Sequence, residues 1–322
     1  MQTNGANPNQ LAFPPISDRE VASISFILSG GVLFNLYSCL ALSRTHIPST
    51  LSKLLLYNQC VLDAALSLIV VSMIASGNYT LLFPQDRANP VVCALLQSGF
   101  ISRLIRIMIL CNIVCQSVDR FWAIVYPNTY FMHTKRYVMV CYTMIPTYAL
   151  AASIFRLFKV NFVDGQCERQ ELDLSPQAIR AIEIVLRYTI PMIVSCSLNL
   201  TVVWKLHHLG IFKSWMVSNT QAAGNTSGQT DSTDPLVSLR NRIFLSTFGL
   251  NVELTMQEIV SITLTVLHYQ GVLNFGLQSK IRIYFLFGIA LCSGLNPVLP
   301  IITVEPLRNT MLRDLRCFKP RG

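Results

Sequence analysis

The sequence predicts an all-α membrane protein in which seven helices cross the bilayer and a short amphipathic eighth helix follows them. Only 13% of the 322 residues are charged, about half the share of an average soluble chain. The mean hydropathy is +0.47, and the apolar residues are gathered in long blocks. This composition excludes a soluble domain, a disordered chain and a nucleic-acid-binding protein, since dense Lys/Arg runs are missing before the C-terminal end.

Seven apolar blocks are long enough to cross the membrane as helices. The hydrocarbon core is about 30 Å thick, so a spanning helix needs about 20 mostly apolar residues. Four blocks contain at most one Asp, Glu, Lys or Arg, and three contain two each. In chain order the predicted spans are residues 21–42, 54–75, 93–118, 137–155, 181–204, 243–267 and 283–304.

The segments outside these spans complete the predicted organisation. Residues 1–20 form a polar outer tail, and residues 21–304 form the membrane domain. The loop at residues 207–237 is rich in Gly, Ser, Thr, Asn and Gln, so it cannot bury a core and we expect it to be mobile. Residues 305–322 are predicted to form the eighth helix and a cytoplasmic tail.

The basic residues predict which end lies inside the cell. Lys and Arg concentrate in cytoplasmic loops, and seven spans place the two termini on opposite sides. With the N terminus outside, 14 of the 25 Lys and Arg fall on the inner side, eight outside and three within spans. We therefore expect a multi-pass plasma-membrane protein with an extracellular N terminus and a cytoplasmic C terminus.

Three cysteines and one asparagine lie at positions that suit covalent modification. Of the cysteines, Cys93 and Cys167 alone are predicted to face the oxidising outer side. They form either one disulfide, which we prefer, or two free thiols. Cys317 follows an amphipathic run and suits palmitoylation at the inner surface. Asn78 begins a sequon in the first outer loop and is a candidate for glycosylation.

Two short motifs stand near the predicted inner ends of the third and seventh spans. Asp119-Arg120 closes the third span, and Asn296-Pro297 lies late in the seventh. Arg120 can be held by Asp119 in a resting state and released when helices move, which makes a switch that a ligand can bias. The alternative is an interfacial anchor, because Arg at a helix end extends to the headgroups.

Asp119-Arg120-Phe121 resembles the Asp/Glu-Arg-Tyr motif of the rhodopsin-like G-protein-coupled receptors, and Asn296-Pro297 resembles the start of their Asn-Pro-x-x-Tyr motif. The resemblance covers residues 21–317. Other positions of the family pattern are matched by Asn35 in the first span, Asp63 in the second, Pro191 in the fifth, and Cys93 with Cys167 as the outer disulfide.

The chain also departs from the family pattern. The sixth span has neither Trp nor Pro, Pro300 stands in place of the Tyr after Asn296-Pro297, and Asn199 stands where the fifth span usually has a Tyr. The resemblance is therefore to a divergent, orphan peptide-receptor type. Ser102 replaces the Asp of amine receptors, and the seventh span has no Lys for retinal, so neither an amine nor a chromophore is expected.

The resemblance implies a receptor and not an enzyme, with an extracellular ligand, a peptide by our preference, and a heterotrimeric G protein as partners. Arrestin and a receptor kinase are further implied partners. Near mid-membrane Asp63 needs polar neighbours, and Asn35, Ser293 and Asn296 are the candidates. In the family such a cluster holds a sodium ion; a hydrogen-bonded or protonated Asp63 without the ion is the alternative.

Charged residues in the outer halves of three spans mark a candidate ligand pocket. Facing lipid would be prohibitive, so they face the bundle interior. One interpretation is an internal salt-bridge network without a ligand, and the other is a positively charged pocket that accepts an anionic group. The candidate residues are Ser102, Arg103, Arg106, Glu183, Arg187 and Glu258, in which Arg103/Arg106 and Glu183/Arg187 have helical spacing.

Two other classes of function are a channel or small transporter and an intramembrane metalloenzyme. The same buried charges would also suit a ligand-gated chemoreceptor channel or a small transporter. An intramembrane metalloenzyme needs convergent His or acidic ligands, and all five histidines fall in loops or at span ends, so we expect no metal centre.

Overall fold

The computed structural model describes most of the membrane domain. The described residues are 17–47, 49–75, 90–92, 94–95, 98–163, 166–169, 181–208, 235–275 and 279–317. Within these ranges the principal helices are α1 (Asp18–Arg44), α2 (Thr50–Ala75), α3 (Phe100–Val125), α4 (Thr134–Ser153), α5 (Ile190–His208), α6 (Pro235–Tyr269), α7 (Lys280–Leu295, continuing as Val298–Thr303) and α8 (Glu305–Cys317).

The predicted helical membrane bundle with an eighth helix is confirmed. In the part of the chain that the structure describes, six helices are long and apolar enough to cross a bilayer, and α4 falls short of that measure. Its 20 residues include Lys135, Arg136 and several Tyr and Thr. α4 belongs to the bundle through packing, because Cys141, Ile145 and Ala149 are buried against α3.

α1 begins within the segment predicted to be a tail. Ser17 and Glu20 form a capping box: the Ser17 backbone N–H donates to Glu20 Oε2 at 2.8 Å, and the Glu20 N–H donates to Ser17 Oγ at 3.3 Å. A capping box satisfies two of the N–H groups that a helix start leaves unpaired. The predicted boundary at residue 21 was therefore a few residues late.

α3 begins later than the predicted start at residue 93. Gly99 has φ = 71°, a left-handed conformation that interrupts a right-handed helix and that glycine adopts at little cost. The helix restarts at Phe100, so the outer part of the predicted third span is not continuous with α3. Its central position is clear, since α3 packs against α2, α4, α5 and α6.

The fifth span contains a π-helical turn, Val185–Thr189, directly before α5. Pro191 follows this turn, and proline lacks an N–H and clashes with the carbonyl four residues earlier. A wider turn relieves that clash and is typical of functional positions. α5 then extends to His208 and α6 starts at Pro235, so the ends of the loop predicted at 207–237 are helical, and residues 209–234 lie outside the described residues.

A short hairpin follows α4, which the prediction of helices and loops alone missed. The chain leaves α4 through a 3₁₀ segment, Ile154–Lys159, and forms antiparallel strands β1 (Val160–Val163) and β2 (Gln166–Arg169). The register places Phe162 opposite Cys167. This hairpin lies between the fourth and fifth helices in the chain.

Candidate functional site

The C-terminal end of α3, which the sequence predicts to be its inner end, holds a buried ion pair. Asp119 and Arg120 are each 3% exposed, and a guanidinium nitrogen of Arg120 pairs with Asp119 Oδ2. The same carboxylate oxygen accepts from Ser52 Oγ of α2 at 2.8 Å, and the Ser52 hydroxyl also contacts Arg120. Adjacent residues on a helix point in different directions, so the Arg120 side chain must fold back to make this pair.

Tyr130 also contacts the Asp119–Arg120 pair, from the segment that follows α3. It lies in a short loop helix, Pro127–Met132, and its hydroxyl donates to Asp119 Oδ1 at 2.6 Å. Its oxygen lies 2.5 Å from Ser49 Oγ, which therefore acts as the donor in that contact. Burial, together with the negative charge of Asp119, raises the pKa of Tyr130 to about 12, so the phenol stays protonated and keeps donating. Three further residues of this site were not predicted from the sequence: Ser49, Ser52 and Tyr130.

The centre of the bundle holds the predicted Asp63 cluster. Asp63 is fully buried, and its Oδ2 accepts from Asn296 Nδ2 and from Gln59 Nε2, both at 3.0 Å. Asn35 does not bond Asp63 directly; its amide donates to the backbone carbonyl of Ser293 at 3.1 Å. The Ser293 side chain is buried in the same region. α1, α2 and α7 thus meet at this cluster.

Three buried oxygens of the Asp63 cluster have no hydrogen-bond partner in the described part of the chain. They are Asp63 Oδ1, Asn35 Oδ1 and Asn296 Oδ1. Buried polar atoms are normally paired, so a group of unpaired acceptors around a carboxylate suits a small cation with oxygen ligands. These residues fit the sodium ion that the resemblance implies.

A chain of amides continues from Asp63 to α3. Gln59 Oε1 accepts from Asn112 Nδ2 at 2.8 Å and from Gln116 Nε2 at 3.5 Å. Asn112 also donates to the Leu55 carbonyl at 3.0 Å. Ile109, which stands where the family commonly has a Ser, is buried among apolar side chains, so Asn112 and Gln116 supply the polar contacts of α3 instead. Asn112 and Gln116 were not predicted as site residues, because the residues around them in the sequence are mostly apolar.

The outer charged residues meet at Glu258 of α6. Glu258 Oε1 accepts from Arg106 of α3 at 2.6 Å, and Glu258 Oε2 accepts from Arg187 at 2.8 Å. Arg187 lies within the π-helical turn. Its four-residue spacing from Glu183 therefore does not place the two side chains on one regular helix face, contrary to the prediction from the sequence. Glu183 is buried, Arg103 is partly exposed, and Ser102 Oγ donates to the Gly99 carbonyl at 3.1 Å.

A second polar cluster joins α3, α5 and α6 between the outer and inner sites. Ser117 Oγ lies 3.0 Å from Ser195 Oγ, and Asn251 Nδ2 donates to Ser117 Oγ at 3.3 Å. Asn199 Nδ2 donates to the same Ser117 oxygen at 3.2 Å. In the sequence, Asn199 stands out only because the family usually has a Tyr at this position. The structure places it in a hydrogen-bonded contact between three helices.

Some predicted sites fall outside the described residues. Asn78 and Cys93 lie in undescribed segments, and the side chains of Cys167 and Cys317 are undescribed although their backbones lie in β2 and α8. The disulfide, the glycan and the palmitoyl group therefore stay predictions. Pro191 lies in the first turn of α5, just after the π-helical turn, and Pro297 lies between the two segments of α7.

The fold and its buried polar centre define a multi-pass helical membrane protein. A sequence profile described as 7 transmembrane receptor (rhodopsin family) matches residues 34–297, from α1 to the bend of α7. The chain belongs to this family of G-protein-coupled signalling receptors, which are not enzymes. Among curated proteins, none matches the chain. Membership of the family argues against the channel and the small transporter considered above.

Proposed function

We propose that this receptor binds an extracellular peptide in the outer half of its bundle and then activates a heterotrimeric G protein at the inner end. The observation that carries the proposal is the state of Arg120. It is 3% exposed and held by Asp119 and Ser52, so a cytoplasmic partner reaches it only after the helices rearrange. A ligand that prefers the rearranged state shifts the population toward it.

The choice of a peptide rests on the charges of the outer half. Arg106, Arg187 and Glu258 offer several charged hydrogen bonds across three helices, and Ser102 offers no carboxylate to an amine. Charged and backbone groups of a peptide suit such a site. The basic-residue distribution supports an extracellular N terminus, which puts this cluster on the outer side.

Several accessory features belong to the same proposal. A sodium ion at Asp63 would add a cation to a cluster in which three oxygens have no hydrogen-bond partner among the described residues. Arrestin and a receptor kinase would act on the inner face. A palmitoyl group on Cys317 would anchor α8 to the membrane, and a glycan would be attached to Asn78. A disulfide between Cys93 and Cys167 would connect β2 to the start of the third span.

The test is ligand-dependent GTP exchange in cells that express the full chain. A peptide library screened with calcium and cAMP readouts identifies the activating peptide, and Arg120→Ala is expected to abolish the response while surface level persists. Arg44→Ala is the matched control, because it removes an inner-side arginine whose side chain is 62% exposed. An epitope before Met1, detected on intact cells, measures surface level and checks the orientation.

The competing interpretation has a distinct signature. A membrane current that responds to the same peptide without any G protein would identify a channel and overturn the proposal. Retention of full GTP exchange by Arg120→Ala would equally contradict the assigned role of Arg120.

A further inference from the structure

Glu258 is a single carboxylate shared by two arginines from two other helices. Each oxygen serves one arginine, with Oε1 2.6 Å from Arg106 and Oε2 2.8 Å from Arg187. The Glu258 side chain is 9% exposed, so this carboxylate lies inside the bundle and not in its rim. The geometry is that of an anion site already filled by the protein's own side chain.

The two arginines have more capacity for anions than Glu258 uses. A guanidinium carries five N–H donors, and each arginine gives Glu258 one nitrogen. Arg187 Nε is buried with no hydrogen-bond partner among the described residues. The Arg106 side chain is 20% exposed, so the site can be approached. Arg103 lies one helical turn from Arg106 on the same helix and adds a third positive charge.

Glu258 also connects α6 to two neighbouring helical segments. Within the described residues, 17% of the α6 span is buried inside the protein, and the same share of the fifth span, against 56% of the α2 span. The two ion pairs of Glu258 join this weakly buried helix to α3 and to the π-helical turn. Removing the carboxylate would take away the oxygen that each of Arg106 and Arg187 now binds, and breaking a buried pair in this way is unfavourable.

We propose that ligands bind this pocket through a carboxylate or similar anion, which takes the place of Glu258 between Arg106 and Arg187 and so releases α6. This inference rests on the proposed function and names the ligand chemistry and the release step of that same site. An acidic side chain or a free C-terminal carboxylate of a peptide has the required group. Glu258 then acts as an internal competitor that keeps the unliganded receptor closed.

The anion site can be tested without any G protein. The purified full chain in nanodiscs is unfolded by heat, with exposure of buried cysteines such as Cys60 and Cys115 to a thiol-reactive dye as the readout. The probe is propionate, and propionamide is the neutral control of the same shape. Glu258→Ala opens the space that propionate would fill, and Glu258→Ser, which opens nearly the same space, serves if the alanine variant does not fold.

Propionate is expected to raise the Tm of Glu258→Ala at concentrations about tenfold lower than those needed for the wild-type chain, because a tethered carboxylate competes at an effective concentration in the millimolar range or above. Propionamide should have no effect, and Glu258→Ala/Arg187→Gln should not respond. Equal effects of propionate and propionamide, or no response of Glu258→Ala, overturn the anion site.

The release step is tested by ligand-free GTP exchange at matched surface level. Glu258→Gln is expected to raise it roughly fivefold or more, within the usual range of coupling between two sites. Glu253→Gln is the matched control, because it removes a charge from the same helix at a carboxylate that accepts from Gln257 and not from an arginine. Exchange in Glu258→Gln no higher than in the control overturns the release step.

The two arms separate this inference from the proposed function. The propionate experiment needs no signalling partner, so it decides the anion site even if the receptor activates no G protein. Absence of GTP exchange from every variant, with a propionate response intact, counts against the proposed function and the release step together. A peptide response that is insensitive to Glu258→Gln counts against the release step alone, and one that is insensitive to Arg187→Gln counts against binding of the peptide at this anion site.

Discussion

At the scale of single residues, Tyr130 is the side chain outside the membrane spans that holds the inner ion pair closed. Replacing it with Phe removes its hydrogen bonds to Asp119 and Ser49 and leaves the buried carboxylate with one donor fewer, a change of about 1–3 kcal/mol. Tyr130→Phe is therefore expected to raise ligand-free GTP exchange and lower the Tm. Tyr142→Phe is the control, since the Tyr142 hydroxyl makes a single 3.3 Å contact at an exposed position.

The pH dependence of stability gives Tyr130 a second, independent signature. Its folded-state pKa is about 12, whereas an unfolded tyrosine has a pKa of about 10. The unfolded chain loses this proton first, so the stability that Tyr130 contributes is complete below pH 10 and is lost as the pH rises toward 12. The Tm of the wild-type chain should fall more steeply over that interval than that of Tyr130→Phe; parallel curves would falsify the assignment.

Asp63 is the residue on which the proposed sodium site depends. Sodium chloride is expected to raise the Tm of the wild-type chain above its value in choline chloride at equal ionic strength, because a bound ion stabilises the folded state. Asp63→Asn keeps the size of the side chain and removes its charge, so the difference between the two salts should disappear. Asp18→Asn, at the exposed start of α1, should retain it. A wild-type chain indifferent to the choice of cation has no sodium site.

Single residues also show how far the sequence could define the site. Charges inside apolar spans are costly, so Asp63, Arg106, Arg187 and Glu258 could be selected without a structure. An internal salt-bridge network with Glu258 as the counter-charge was one interpretation of the sequence, but the exact pairs could not be predicted, because Glu258 and Arg106 are 152 positions apart and Arg187 lies in an unpredicted π-helical turn. Ser52 and Ser195 gave no signal at all, since a small hydroxyl is as frequent on a lipid-facing surface as in a buried contact.

At the scale of helices, α1 and α7 approach each other through two glycines. A Cβ on Gly294 would lie 3.1 Å from the Cα of Gly31, and because that neighbour is backbone the helices would have to separate. Gly294→Ala is expected to destabilise the receptor by about 1–3 kcal/mol, as other overpacked contacts do. Thermal unfolding and surface level measure the effect.

The control for this contact lies on the same helix. Gly288 has nothing within 4 Å of the position of an added Cβ, and alanine favours a helix more than glycine does. Gly288→Ala should therefore leave the Tm unchanged or raise it slightly. If the two alanine variants behave alike, helix propensity and not the α1–α7 contact explains the result.

The helices themselves were largely predictable, and the interruptions within them were not. Length and hydropathy identified each span, since the bilayer imposes both. Local backbone events moved the ends: the Ser17 capping box lengthens α1, and Gly99 delays the start of α3. The β1–β2 hairpin was missed because Val160–Val163 and Gln166–Arg169 are only four residues each and stabilise each other only when paired.

At the scale of the whole molecule, the bundle divides into a firmly packed part and a loosely packed part. α2 is surrounded by α1, α3 and α7, and the first large core cluster joins residues of α1, α2, α3, α6 and α7. The fifth and sixth helices bury far less of their spans, and they contact α3 through polar groups and a small apolar cluster. From this asymmetry we expect α5 and α6 to be the mobile part of the receptor.

Hydrogen exchange of the full chain in nanodiscs tests this division directly. Protection follows local stability, so amides of α6 and of the fifth span should exchange faster than those of α2. Glu258→Gln should accelerate exchange in the outer half of α6, where the carboxylate pairs with Arg106 and Arg187, and should leave α2 unchanged. Gly288→Ala supplies the reference for a substitution that disturbs no helix contact. Uniform protection across the bundle, or an effect of Glu258→Gln spread equally over α2 and α6, would mean that the receptor moves as one rigid body and that these ion pairs do not control its sixth helix.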